Sequence, residues 1–501
     1  MKMLEYLLLI FYVSALFSLL VYGMNCYYLM SCYRIGLSKA RERHLRLKET
    51  FTERLLSDGW PRATIQLPIF NERYVAQRLV RAVCQLDYPK QQLEIQVLDD
   101  STDDTVKICR DVVQEMRQQG FDIVHVHRGV RTGFKAGALK EGLERVKSQF
   151  IGIFDADFIP CPEFLRETIP YFVDPRVGMV QARWGHLNAD YSMLTRAQSM
   201  GIDGHFGVEQ AARSWTGLFM NFNGTAGIWR KEAILDAGGW QADTLTEDLD
   251  LSYRAQLKGW KLEFAPELMC PAEIPVSING FKSQQYRWAK GSIETAKKNL
   301  GRLFRADLPL LVKIQSFLHL THYMVHPLMI IVVLSSIPML TTGWFFANIS
   351  YPIVFFMLFC LATFGPSNMY LFSQKILYPD WKSRIKYLPF LMCLGTGIAA
   401  NNTRAIVGAL LGLETGFVRT PKYGIEKRAD TWYGKRYTVP VNAVSIFELL
   451  LGLYSLTGLV LFFLSGRYLI SPFLLIYSAG FLYVFSLSVL HGYAKSRTVL
   501  E

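Results

Sequence analysis

The chain has 501 residues, enough for several domains at about 100–200 residues each. Hydrophobic residues make up 51% and aromatic ones 14%, while only 19% are charged, which excludes a disordered or collagen-like chain, and eight cysteines with no C-x-x-C exclude a disulfide scaffold. A net charge of +12 and a mean hydropathy of +0.17 point to a water-soluble domain joined to membrane segments.

In chain order, Leu4–Met30 is mostly apolar with only Glu5 charged, long enough to span a bilayer and too long for a cleaved signal. Arg34, Lys39, Arg41, Arg43, Arg46 and Lys48 follow and mark the cytoplasmic side. This divides the start into an anchor, 1–31, and a basic juxtamembrane linker, 32–60. From Ala63, β-rich runs alternate with helical patterns. Ala63–Leu67, Glu94–Leu98, Asp122–His127 and Phe150–Phe154 read as strands. Arg73–Gln85, Asp103–Gln119, Lys135–Val146 and Cys161–Tyr171 read as helices. Such alternation predicts a parallel α/β sheet, with ligands beyond the carboxyl ends of its strands. A basic run, Lys282 to Lys313, predicts an amphipathic helix lying on anionic lipid rather than on nucleic acid. Gln315–Leu340, Tyr351–Phe372, Val444–Leu464 and Leu469–His491 predict four more spans, five in all. Leu388–Leu413 holds Asn401, Asn402, Thr403 and Arg404, and spanning would put the basic segment after it outside, so a broken or interfacial helix is predicted. The resulting units are 61–280 (catalytic), 281–314 (interfacial), 315–373 (membrane helices), 374–442 (interfacial helix and loop) and 443–501 (membrane helices).

Polar motifs fall at the strand ends. Asn71-Glu72 follows the first strand, Asp99-Asp100-Ser101 the second, and Asp155-Ala156-Asp157 the fourth. Two carboxylates flanking one residue suit a hard cation such as Mg²⁺, although the pair alone is also an ordinary acidic loop start. Thr246-Glu247-Asp248 opens a helix over Leu249–Lys258, either as a dipole-favoured acidic cap or as the place of a general base. Lys135 starts a helix after Gly133-Phe134, where backbone N–H groups favour phosphate. Gln284-Gln285-Tyr286-Arg287-Trp288 joins a guanidinium fork, suited to diphosphate, to an aromatic face suited to a sugar ring. Neither G-x-G-x-x-G nor a P-loop is present. His319, His322 and His326 share one helical face without a carboxylate, which suits a channel-mouth or interfacial role better than a metal.

The order of these motifs, with L-P-I-F-N-E, Q-V-L-D-D-S-T-D, F-K-A-G-A-L-K, F-D-A-D-F, V-Q-A-R-W, F-N-G-T-A-G-I-W-R, T-E-D-L-D-L and Q-Q-Y-R-W, resembles the glycosyltransferase family 2 polymerases, the cellulose synthase-like group that includes mannan and glucan synthases. The resemblance covers nearly the whole chain. It implies a GT-A (Rossmann-like) cytoplasmic catalytic domain embedded in an α-helical transmembrane domain with interfacial helices. It also implies that Asn71, Glu72, Asp100, Lys135 and Asp155 bind the donor nucleotide, and that Asp155 and Asp157 hold Mg²⁺ or Mn²⁺. Asp248 would be the catalytic base, with Glu247, Gln284, Arg287, Trp288, Gly224 and Thr225 at the diphosphate and acceptor. Phe417, Arg419, Thr420 and Lys422 resemble the family's F-x-V-T-x-K gating loop, with Arg419 where that pattern has Val.

The expected activity is inverting, metal-dependent polymerisation of a β-linked hexose, β-1,4-mannan or glucomannan or a β-glucan, from GDP-mannose or UDP-glucose, with export through the protein's own channel. The expected place is a multi-pass protein of a plasma, inner or Golgi-type membrane, with the bilayer and the growing polysaccharide as partners. Because Glu501 closely follows the last span, no appended cyclic-di-GMP module is expected. The alternative is a non-processive membrane glycosyltransferase making a glycolipid or lipid-linked sugar, although such enzymes usually lack Q-x-x-R-W and the gating motif. A transporter with a sugar-binding domain lacks a use for D-x-D, T-E-D and Lys135 together.

Overall fold

The computed structural model describes residues 2–342, 352–416, 418–437 and 439–496. Its first element differs from the sequence reading. One helix, α1 (Lys2–Asp58), runs unbroken through both the anchor and the basic stretch. The basic side chains explain why the helix does not stop. Arg43 pairs with Glu263 and, at 3.2 Å, with Asp174, and Lys48 pairs with Glu167 at 2.6 Å. What reads as a linker is a helix ion-paired along the soluble domain.

That domain is built on seven strands: β1 (Ala63–Ile69), β2 (Leu93–Asp99), β3 (Asp122–His127), β4 (Phe150–Ile153), β5 (Val177–His186), β6 (Gly227–Arg230) and β7 (Lys261–Ala272). They lie in the order β3-β2-β1-β4-β6-β5-β7. β1 to β4 are mutually parallel, with Ala63 opposite both Leu93 and Phe150. β6 is antiparallel to both β4 and β5, so the sheet is mixed and not purely parallel as expected. β1 lies between β2 and β4, and chain direction across the sheet reverses there. In an open α/β sheet this is where a ligand crevice opens.

Helices α2 (Ala76–Cys84), α3 (Thr105–Gln118) and α4 (Phe134–Arg145) cover the parallel half through buried apolar faces. α5 (Phe164–Thr168) is shorter than expected because Pro170 lacks an N–H, and a tight 3₁₀ turn over Ile169–Val173 replaces the rest. α6 (Met193–Gly204) passes through a π-turn at His205–Glu209 into α7 (Gln210–Trp215). α8 (Lys231–Asp236) follows β6, and α9 (Glu247–Leu257) carries three acids in its first turn, where the helix dipole favours them.

α10 (Ile278–Arg305) packs across α9. Three of its lysines turn inward to protein acceptors, while Lys297, Arg302 and Arg305 stay exposed. Lys282 is buried against Glu448 at 2.6 Å, Lys290 donates to Thr415 Oγ1 at 2.7 Å, and Lys298 pairs with Asp243 and Asp250. Burial without partners would cost each ammonium several kcal/mol, so sequence-distant acceptors draw α10 inward.

Four helical stretches among the described residues are long and apolar enough to cross a membrane: Tyr6–Asp58, Leu310–Thr341, Val444–Leu464 and Ser471–Gly492. The second comprises α11 (Leu310–Thr321), a 3₁₀ turn and α12 (Val325–Thr342). The expected span Tyr351–Phe372 falls in a helix over Pro352–Leu377, some of whose side chains lie outside the described residues. The segment Leu388–Leu413 breaks at Ile398 into helices Leu388–Gly397 and Ala399–Leu410. The three histidines of α11 and its continuation are engaged by protein: His319 Nδ1 with the Tyr253 hydroxyl at 2.8 Å, His322 Nδ1 with the His319 carbonyl at 2.7 Å, and His326 Nε2 accepting from Asn402 at 2.9 Å.

Candidate active site

Beyond the carboxyl ends of β1, β2 and β4 lies a cavity of ≈ 200 Å³. Glu72, Asp100, Asp155 and Asp157 reach it from the sheet, and Lys135 from the start of α4. Gly224 comes from the loop before β6, Glu247 and Asp248 from the first turn of α9, and Gln284, Arg287 and Trp288 from α10. Arg419, Thr420 and Lys422 close it from a strap far along the chain. Two expected residues stand behind the wall instead. Asn71, in a left-handed conformation (φ 55°), bonds its backbone N–H to Ser101 Oγ at 2.8 Å and accepts from the Thr102 N–H at 2.9 Å, tying two strand ends together. Thr225 is buried, and its hydroxyl accepts from the Asp155 N–H at 2.9 Å. Phe417 lies outside the described residues.

The acids and cations are interlocked. Lys135 Nζ meets Asp155 and donates to the Gly224 carbonyl at 2.9 Å. Lys422 Nζ is 2.6 Å from Asp157, and Arg419 is 2.6 Å from Glu72. Arg287 donates to Thr420 Oγ1 at 2.8 Å, joining α10 to the strap. Arg128 grips Asp100 with two bonds of 2.6 Å, and Arg131 lies 3.5 Å over the Phe70 ring. Glycine is required at 224: its φ is +81°, and a Cβ there would sit 2.8 Å from Asp248 Oδ2 and 3.4 Å from Lys135 Nζ.

This crowding shifts the acids. Loss of hydration raises Asp248 to about 7, the neighbouring Glu247 charge adds to the rise, and Lys135 opposes it. Glu72 is pushed up to about 8 by burial, even with Arg419 against it. A carboxylate near 7 is poised to take a proton at neutral pH.

Several wall-building residues escaped the sequence reading. Glu273 is the anchor of the strap: its carboxylate accepts the backbone N–H groups of Tyr423 at 2.8 Å, Gly424 at 2.7 Å and Ile425 at 3.3 Å, while its carbonyl accepts from Lys422. Gln181, inside V-Q-A-R-W, braces the loop before β6 through Asn223 N, Thr225 O and Ala226 O. Asp250 takes Arg254, Lys298 and Asn299, which bolts the start of α9 to α10. Their motifs are polar residues in apolar runs, a signal of buried bonding without a named partner.

Residues 61–291 match the family model described as glycosyltransferase like family 2. The chain carries a glycosyltransferase family 2 domain. The family 2 domain has the mixed-sheet architecture of the GT-A type. Similar curated proteins include glucomannan 4-beta-mannosyltransferase 2 of Arabidopsis thaliana, 46% identical over 258 residues, 50% of this chain and 48% of that one. Glucomannan 4-beta-mannosyltransferase 1 of Oryza sativa subsp. japonica is 43% identical over 254 residues, 50% of this chain and 49% of that one. The chain thus spans about half the length of the curated relatives it matches. Among solved structures, mannosyltransferase PcManGT from Pyrobaculum calidifontis, in complex with GDP-Man and Mn²⁺, is 18% identical with a TM-score of 0.45, covering 77% of this chain and 100% of that one.

Proposed function

We propose that the protein is an inverting membrane glycosyltransferase that extends a β-1,4-mannan or glucomannan from a nucleotide-diphosphate sugar, GDP-mannose by preference, and passes the product out between its own helices. The observation that carries this reading is Asp248, a carboxyl raised to about 7 in the same cavity wall as Lys135 and Arg287. The names of the curated relatives support the mannosyl donor and the 4-beta linkage. The long apolar helices support a membrane setting, with the catalytic domain on the cytoplasmic side.

On this reading Asp248 accepts the proton of the acceptor hydroxyl as that oxygen attacks the anomeric carbon, and the nucleoside diphosphate departs from the opposite face. A single displacement inverts an α-linked donor into a β-linked product. Lys135 and Arg287 stabilise charge gathering on the leaving diphosphate, the type of term that usually contributes most. Glu72, Asp100 and Phe70 hold the nucleoside end, Gln284 and Trp288 the acceptor, and the strap from Arg419 to Lys422 shuts water out. Asp155 and Asp157 offer hard oxygen ligands, and the ammonium groups of Lys135 and Lys422 now against them mark a place that attracts cations. Mg²⁺ or Mn²⁺ held there would neutralise diphosphate charge.

The test is incubation of the purified full-length protein with Mg²⁺ or Mn²⁺ and a panel of nucleotide sugars, followed by linkage analysis. Transfer from GDP-mannose into β-1,4-linked mannose is expected. No sugar transfer from any donor refutes the reading.

A further inference from the structure

Beside the base, one amide has its orientation fixed by a chain of bonds that begins well outside the cavity. The Asn221 carbonyl can only accept, and it takes a bond of 2.7 Å from Gln210 Nε2. This sets which end of the Gln210 amide faces inward. The same Nε2 gives its other N–H to Asn223 Oδ1. Asn223 must then present Nδ2 to His205 Nε2, 3.1 Å away, and that ring nitrogen must be the acceptor. His205 therefore carries its hydrogen on Nδ1, which donates to Glu209 Oε2 at 2.9 Å. Glu209 is held in turn by Arg213 Nε at 2.9 Å. Burial works to raise the Glu209 carboxyl, but Arg213 and the His205 bond outweigh it and hold it well below the usual carboxylate range. The chain of donors and acceptors has one consistent direction.

Its purpose is visible at Asn223. The amide NH₂ has two hydrogens; His205 takes one, and no protein atom among the described residues accepts the second. Asn223 lines the cavity, and the next residue is Gly224, whose missing Cβ makes room for Asp248 Oδ2. The π-turn at His205–Glu209 supplies the geometry. It places His205 and Glu209 where α6 meets α7, and such turns interrupt α-helices mostly where function needs a side chain re-aimed.

We propose that Asn223 is an acceptor-binding residue that donates its second N–H to a hydroxyl oxygen of the incoming saccharide next to Asp248, and that His205, Glu209 and Gln210 are positioning residues that fix the direction of its amide. This rests on the reading of the cavity as a glycosyltransferase centre. A hydroxyl that receives this bond turns its own hydrogen toward the base, so the bond orders the acceptor rather than the donor.

The experiment uses the full-length protein, GDP-mannose and a short β-1,4-linked manno-oligosaccharide. Asn223→Ala and His205→Ala are each expected to lower kcat/KM for the oligosaccharide by about tenfold, the worth of one well-placed hydrogen bond, while donor affinity measured without acceptor stays at the wild-type value. His205→Gln, which can restore a carbonyl acceptor, recovers most of the loss. The double variant is no worse than Asn223→Ala, because His205 acts only through Asn223. Wild-type acceptor kinetics in Asn223→Ala, additive losses in the double variant, or a loss confined to donor affinity overturns the proposal. If His205→Ala does not fold, His205→Gln and Asn223→Ala decide it alone: full loss in His205→Gln overturns the role given to His205. A wild-type protein that transfers no sugar to any acceptor refutes the reading of the cavity instead.

Discussion

The two sides of the cavity differ in charge and in origin. The sheet side brings acids, Glu72, Asp100, Asp155 and Asp157, from loops within one stretch of chain. The opposite side brings Arg287, Arg419 and Lys422 from a helix and a strap that follow much later. Two of the acids are neutralised from across the cavity, Glu72 by Arg419 and Asp157 by Lys422, whereas Asp155 and Asp100 take Lys135 and Arg128 from their own side. A nucleotide diphosphate carries the charge that the cations want, and a divalent metal the charge that the acids want. On the proposed reading, loading the site is an exchange of partners, in which total charge pairing is kept while the pairs change. At Glu72 and Asp157 the counter-charge comes from a separate strap, so there the partners can change without disturbing the sheet.

The largest expected effect tests whether the acidic side does chemistry or only binds. Asp248→Asn is expected to cut transfer by about 10²–10⁴-fold, as loss of a general base does, with donor affinity retained by calorimetry. Turnover near wild type would remove Asp248 from the role.

The exchange itself is tested at Lys422. Although it lies in a loop, the residue is 8% exposed and bonded to Asp157 and to the Glu273 carbonyl. Lys422→Ala should therefore lower thermal stability in chelator, by on the order of 2 kcal/mol, because it leaves Asp157 without its counter-charge. Added Mn²⁺ should restore much of that loss, and transfer should fall by about tenfold or more. Equal melting curves with chelator and Mn²⁺ would show that metal and lysine do not share Asp157.

The pH dependence follows from Asp248 at about 7. A base must be unprotonated, so kcat/KM should fall as pH drops through about 7. Glu247 contributes to the rise, so Glu247→Gln should move this acid limb to lower pH. The stability sign is opposite. The folded state holds this proton more tightly than the unfolded chain above pH ~4 and up to about 7, so stability declines with rising pH through that window, and Asp248→Asn should remove that decline. An acid limb unmoved in Glu247→Gln would separate the two carboxylates.

The smallest effect probes the joint between the two sides. A Cβ on Gly291 would lie 2.5 Å from Thr246 Cγ2 and 2.8 Å from Thr246 N, so Gly291→Ala forces α10 away from the start of α9. A destabilisation of about 1–3 kcal/mol is expected, as for overpacking, with a further fall in turnover of the remaining folded protein. Unchanged kinetics would mean that Asp248 tolerates slack at this contact.

The sheet and its acidic ends were legible because both have local signals. Apolar runs of strand length end in Asp99-Asp100 and Asp155-Ala156-Asp157, and each strand end falls within two residues of its expected place. The strap was legible by its resemblance, but its anchor was not, because Glu273 and Tyr423 are joined across 150 residues of chain. The antiparallel β6 was missed because Gly227–Arg230 sits inside F-N-G-T-A-G-I-W-R, whose Asn and glycines read as loop. The partners of the basic stretches were not legible, because Arg43, Lys282 and Lys298 each find a carboxylate far along the chain. His205 had no signal, since one partner, Glu209, lies in a π-turn that no periodicity marks and the other, Asn223, lies in a distant loop.

The uninterrupted α1 has a rotational consequence. At 1.5 Å per residue its 57 residues make a rod about 85 Å long. Tyr22, about a third of the way along, bonds to Thr321, and Arg43 farther along grips Glu263 and Asp174. These two grips fix the angular phase of one end against the other. One residue inserted between them turns everything on one side by about 100°, so that only one grip can hold, whereas seven residues restore the phase nearly and change only the length. The helix thus behaves as a keyed shaft: the sheet cannot turn about its axis relative to the apolar helices without losing a bond at one end.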